Sequence, residues 1–192
     1  MDNIALIDAS FIEQNTDFFQ LISALKQGFS STNIIVPLRH HHDFPNPVVN
    51  SDSTLLLMPA WNPSNEAGVK VVTVSPENGQ FNLPSIQGIY IFLDAKKGTI
   101  KALLDAKQLT AKRTAAASAL ASSFLSNKNS KSLLMIGTGA LCVNLIKAHA
   151  SVRPIKTVYV WGRQLEKAKA VCKSFSGETF TIQAIKTIEE KI

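Results

Sequence analysis

The segment MIGTGALC, from Met135 to Cys142, sets two glycines between an apolar run and a helix-like run. A turn of this kind suits a dinucleotide pyrophosphate. Gly137 permits the tight turn, Gly139 lets the main chain approach, and the N-terminus of the following helix offers N–H groups to phosphate oxygens. The third glycine of the usual fingerprint is replaced by Cys142, so the motif alone also fits a plain strand-to-helix turn. Further on, TVYVWGRQ ends with Gly162, Arg163 and Gln164, where an acidic residue would bind the ribose 2′-hydroxyl of NAD. Exchange of the acid for a cation favours the 2′-phosphate of NADP. The plain alternative is a solvated loop arginine.

Three other cations stand where a neutral residue would be easier to accommodate. Lys70 lies within GVKVVTV, flanked by valines, and a buried lysine needs an anionic partner or a task. Arg39, in VPLRHHH, is a cation on a β-like segment, and both residues could instead sit on edge strands facing water. LTAKRTAAASALA reads as a helix with Lys112 and Arg113 in its first turn, where the helix dipole disfavours cations and an anion docked alongside would offset the cost. The alanines behind Arg113 allow another backbone or a flat ligand to come close. Together Arg39, Lys70 and Arg113 could form a carboxylate pocket. His40, His41 and His42 are consecutive, so on a strand they cannot all face one ion, and no metal site is expected.

The elements that must position these residues fall into two grammars. Ile4 to Ile7 reads as a strand, and Asp8-Ala-Ser10 can cap an amphipathic helical region with one break, carrying Phe11, Ile12, Phe18, Phe19, Ile22, Leu25 and Phe29. IIVPLRHHHDF is β-like, Thr54 to Met58 a short strand, PAWNPSNEAG a loop, and Val69 to Val74 a strand. After a polar loop, GIYIFLD and GTIKALLD pair as a hairpin, followed by the helix running to about Leu125. From Ser132 strands alternate with helices, which implies a parallel sheet. The expected organisation is α/β: residues 1–126 as a substrate-binding and dimerisation domain, and residues 127–192 as the first part of a Rossmann-type βαβ domain.

The 192 residues carry a formal charge of +6 spread without a basic block, so nucleic acid is not an expected partner. Cys142 and Cys172 lie in apolar helical patterns, as buried free thiols of a reducing compartment do. The N-terminus lacks the apolar core of a signal peptide, and no apolar run approaches the roughly 20 residues of a membrane span. A soluble, cytoplasmic protein without a membrane partner is expected.

In order and spacing, LLLMPAW, AGVKVVTVSPEN, LPSIQGIYIFLDAKKGTIKALLD, LTAKRTAAASALA and MIGTGALC resemble the ornithine cyclodeaminase and mu-crystallin family across nearly the whole chain. The resemblance implies an α/β domain that builds a homodimer and a Rossmann domain that binds NADPH or NADH. It places Arg39, Lys70 and Arg113 on the substrate carboxylate, with Lys70 also near the reacting carbon. Arg113 and Thr114 fall at the cofactor phosphates, Gly137, Thr138, Gly139, Ala140 and Leu141 in the glycine-rich turn, and Gly162, Arg163 and Gln164 at the adenosine ribose. The implied activity is reduction of a cyclic ketimine such as Δ1-pyrroline-2-carboxylate to L-proline. Ornithine cyclodeamination with NAD, a non-catalytic mu-crystallin-like binding protein and an inactive fragment are the alternatives. Family chains are longer, so the acid/base aspartate, the nicotinamide contacts and the remaining Rossmann strands are expected outside these 192 residues.

Overall fold

The computed structural model describes residues 4–63 and 65–189. They form two compact units, one of residues 1–15 with 28–110 and the other of residues 16–27 with 111–192. Among the described residues, no helix is long and apolar enough to cross a membrane.

The first unit is a six-stranded sheet. Strands β1 (Ala5–Ile7), β2 (His40–Phe44), β3 (Ser53–Asn62), β4 (Glu66–Val74), β5 (Ile86–Asp94) and β6 (Ile100–Asp105) lie in the order β1-β6-β5-β4-β3-β2. Only β1 and β6 run parallel; the other neighbours are antiparallel. The segment expected as the loop PAWNPSNEAG is instead the end of β3, a tight tip and the start of β4, paired from Thr54 opposite Val74 to Asn62 opposite Glu66. Pro59 is tolerated there because the β2 ladder stops at His40 opposite Leu57, leaving the proline without a β2 partner. Helix α1 (Ala9–Asn15) packs beside β6, and its start is capped by Asp8, whose Oδ1 accepts from the Phe11 N–H at 2.7 Å.

The second unit joins most of α2 (Phe18–Ser30) and most of α3 (Ala106–Leu125) to a βαβαβ segment. The break read between α1 and α2 falls at Thr16 and Asp17, and Asp17 caps α2 by accepting from the Gln20 N–H at 3.0 Å. Strands β7 (Ser132–Ile136), β8 (Thr157–Trp161) and β9 (Thr181–Ala184) form a parallel sheet in that order, with α4 (Cys142–Val152) and α5 (Leu165–Lys173) as crossovers. Helix α4 is buried on two sides. Cys142 and Ile146 pack with Val158, Val160 and Ala168, whereas Ala148 joins Phe18 and Ile22 of α2 and Ala115, Ala116, Ala119 and Leu120 of α3. The change of grammar near residue 126 therefore does not coincide with the packing boundary. Most of α3 lies with the βαβ segment because its alanine face, fully buried at Ala115, Ala116 and Ala119, admits the neighbouring helices closely.

Two cations complete this unit. Arg153, just past α4, donates from Nη2 to the carbonyls of Ser122 at 2.7 Å and of Ser123 and Ser126 at 3.0 Å, closing the C-terminus of α3. Lys112, 3% exposed, extends Nζ to the Thr16 carbonyl at 3.4 Å and lies 4.9 Å from the Phe18 ring centroid. This corrects the first-turn reading of Lys112 and Arg113. Asp105 accepts from the Gln108 N–H at 2.6 Å and starts α3 at Ala106, so Lys112 ends the second turn and Arg113 opens the third. Lys112 lies against a carbonyl and an aromatic face.

Candidate functional site

The glycine-rich turn forms at the carboxyl end of β7, where a parallel sheet presents ligands to a helix N-terminus. Gly137 has φ +116°, a conformation that residues with a Cβ rarely adopt, and its N–H donates to the Trp161 carbonyl at 2.8 Å. Helix α4 begins only at Cys142, so Gly139, Ala140 and Leu141 belong to the turn itself. A Cβ at Gly139 would meet nothing within 4 Å, so the main chain there borders open space. At Gly162 a Cβ would stand 2.8 Å from Thr138 Cγ2, and the missing side chain lets the first turn pack against the end of β8.

Gly137, Thr138, Gly139 and Gly162 line a cleft of about 810 Å³ together with Ile136, Trp161, Arg163, Gln164 and Lys167, while Ala140 and Leu141 lie outside its lining. The first turn of α5 faces it, and its one acidic residue, Glu166, is held by Lys169 at 2.7 Å. The cleft thus combines open main chain at Gly139 with the cations Arg163 and Lys167. An elongated, phosphate-bearing ligand fits that chemistry. Lys167 did not stand out in the sequence. The signal was its spacing of four from Arg163, which a short helix start turns toward the same opening. Cys142, beside the turn, is buried, and burial first, and then Cys172, push its pKa up to about 11.

A second group of polar residues lies on the six-stranded sheet. Lys70 is paired with Met58 on β3 and with Tyr90 on β5, and Tyr90 is paired with Leu104 on β6. Directly opposed residues share a face, so these four side chains form one row across the sheet. Arg39 lies just before β2, whose pairing with β3 ends at His40 opposite Leu57, so the ladder itself does not carry Arg39 into this row. Lys70 is half-buried and Arg39 exposed. The three histidines lie on the exposed edge strand β2, with His41 Nε2 3.0 Å from Asp43 Oδ1. Arg113 is exposed and Thr114 half-buried on α3, in the other unit. The sheet register therefore sets Lys70 in a row with Met58, Tyr90 and Leu104, with Arg39 just outside the paired strands, while Gly137, Thr138, Gly139, Gly162, Arg163 and Gln164 share the cleft.

Both parts have counterparts among known proteins. The model of the ornithine cyclodeaminase/mu-crystallin family matches residues 5–192, and the chain belongs to that family. It is 44% identical over 174 residues to an uncharacterized protein of Schizosaccharomyces pombe, covering 90% of this chain and 52% of the other. It is 37% identical to a Δ1-pyrroline-2-carboxylate reductase of Colwellia psychrerythraea, covering 89% of this chain and 54% of the relative. Among solved structures, Thermococcus litoralis Δ1-pyrroline-2-carboxylate reductase in complex with NADH and L-proline superposes with a TM-score of 0.82 at 28% identity. That match covers 97% of this chain and 58% of the other. The chain spans about half the length of the curated relatives it matches.

Proposed function

We propose that this chain carries the substrate- and dinucleotide-binding residues of a ketimine reductase that converts a cyclic imine such as Δ1-pyrroline-2-carboxylate to L-proline with NADPH. The observation that carries the reading is the cleft between the Gly137–Gly139 turn and the end of β8, open at Gly139 and lined by Arg163 and Lys167, with no carboxylate among its lining residues. Relatives named Δ1-pyrroline-2-carboxylate reductase supply the substrate class.

In this reading Gly137, Thr138, Gly139, Ala140 and Leu141 cradle the pyrophosphate through main-chain N–H groups, with Arg113 and Thr114 at the cofactor phosphates. Gly162, Arg163 and Gln164 meet the adenosine ribose, and the Arg163 guanidinium takes its 2′-phosphate. When bound, the reduced nicotinamide supplies hydride to the imine carbon. Arg39, Lys70 and Arg113 clamp the substrate carboxylate. Lys70, nearest the reacting carbon, holds the imine in one orientation, so that much of the rate arises from positioning. Apolar side chains left exposed on the first unit, among them Leu6, Val36, Leu38 and Val48, support a homodimer that would cover them.

The test is a fluorescence titration with NADPH and NADH beside an assay of NADPH oxidation with Δ1-pyrroline-2-carboxylate. Preferential NADPH binding with imine-dependent oxidation is expected. Absence of nucleotide binding overturns the reading, and ammonia release from L-ornithine with NAD replaces it with cyclodeamination.

A further inference from the structure

The row that holds Lys70 contains a second polar head whose placement depends on a missing side chain. Two residues before Lys70 on β4, and on the same face, stands Gly68, which is buried. The place a Cβ at residue 68 would take is filled by the Tyr90 hydroxyl, with Tyr90 Cζ and Cε1 2.5 and 2.9 Å from it. The Tyr90 ring therefore leans along β4 and brings its hydroxyl over the Gly68 main chain, on the face Lys70 occupies. A residue of any size at position 68 would push the ring away.

The surroundings suit a hydrogen-bond donor. Met58, Lys70, Tyr90 and Leu104 are all half-buried, so the two polar heads are set among apolar neighbours in the one row. Burial first, and then the charge of Glu66, raise the phenol above its ordinary value, so the hydroxyl keeps its proton. A phenol that stays protonated adds a donor to the face on which the directly opposed Lys70 carries its ammonium, and brings no negative charge of its own. That pair is matched by the two oxygens of a carboxylate.

We infer that Tyr90 is a substrate-binding residue, its hydroxyl donating to the carboxylate of a small imino or amino acid beside Lys70, and that Gly68 exists to let it reach. This deepens the proposed ketimine-reductase reading and rests on it for the identity of the carboxylate. The juxtaposition itself belongs to one unit of the molecule and does not involve the nucleotide cleft.

Calorimetric titration of the chain with L-proline, with and without NADP⁺, tests it. Tyr90→Phe keeps the ring over Gly68 and removes only the donor, so its thermal midpoint should stay near that of the unsubstituted chain while L-proline binding weakens about tenfold. Gly68→Ala, whose added methyl excludes the hydroxyl from its place, should lose a similar factor. NADPH affinity should be unchanged in both variants. Equal L-proline affinity in Tyr90→Phe and the unsubstituted chain overturns the inference and leaves the ring as packing for Gly68. Absence of L-proline binding by the unsubstituted chain overturns it as well. Failure of the reductase reading is seen separately: no nucleotide binding or imine turnover, with L-proline binding still lost in Tyr90→Phe, would remove that reading and leave Tyr90 as a carboxylate contact.

Discussion

Arg153 Nη2 donates to the main-chain oxygen of Ser122 at 2.7 Å, joining the end of α4 to the end of α3 through one guanidinium. The same side chain donates from Nε to Ser126 Oγ at 2.8 Å. The last carbonyls of a helix have no partner within it, and a cation there also meets the negative end of the helix dipole. Arg153→Ala is expected to lower stability by about 2–3 kcal/mol by stripping charged hydrogen bonds from half-buried carbonyls. Urea unfolding of the two proteins measures the difference, and an unchanged midpoint would show that water replaces the guanidinium without loss.

Gly137 and Gly139 separate two roles that a shared motif conceals. At Gly137 a side chain would be strained by the backbone, so Gly137→Ala should cost about 1–3 kcal/mol of folding stability. At Gly139 a methyl would meet no protein atom, so Gly139→Ala should leave the thermal midpoint in place. It should nonetheless weaken NADPH binding on the order of tenfold or more, since its only obstruction is to a ligand drawn close to the main chain. Melting curves with and without NADPH distinguish the two. A Gly139→Ala chain that binds NADPH normally would argue against a phosphate at this turn.

Arg163 is proposed to read the 2′-phosphate. Arg163→Ala should reduce NADPH affinity about tenfold and leave NADH affinity nearly unchanged, because the lost partner contacts only the additional phosphate. The ratio of dissociation constants is the quantity to follow. If both nucleotides weaken equally, Arg163 supports the cleft without selecting its occupant.

His149 on α4 lies 3.1 Å through Nε2 from the Ser118 hydroxyl, and burial holds its pKa below the ordinary 6.5. The unfolded chain therefore takes up its proton first as pH falls. The stabilisation tied to the neutral ring is complete above about pH 6.5 and is lost as pH drops through the folded-state value. Urea midpoints should fall between pH 7.5 and pH 5, and His149→Gln should flatten that part of the profile. An identical slope in the variant would move the pH dependence to other groups.

Much of this molecule was legible because its signals are local. The β-branched run around Lys70, the glycines after an apolar strand and the strand–helix alternation beyond Ser132 each follow from the conformational preferences of neighbouring residues, and each formed as read. The continuation of β3 through Pro59 was not legible, because a proline is acceptable there only where the neighbouring ladder has already ended. Nor was the start of α3. Asp105 ends one strand and caps the next helix, which moves Lys112 from the first turn to a buried place in the second.

By itself the sequence determined which residue types carry the chemistry: cations without nearby acids, glycines where a main chain must come close, and a family pattern spanning residues 5–192. Only tertiary structure decided their company. Sheet register placed Tyr90 opposite Lys70 and over Gly68, the α5 start turned Lys167 into the cleft with Arg163, and close helix packing buried the alanine face of α3. The physical reason is that propensity acts over a few neighbouring residues. Facing, burial and close approach depend on strands and helices far apart in the chain, which meet only once the apolar faces have found each other.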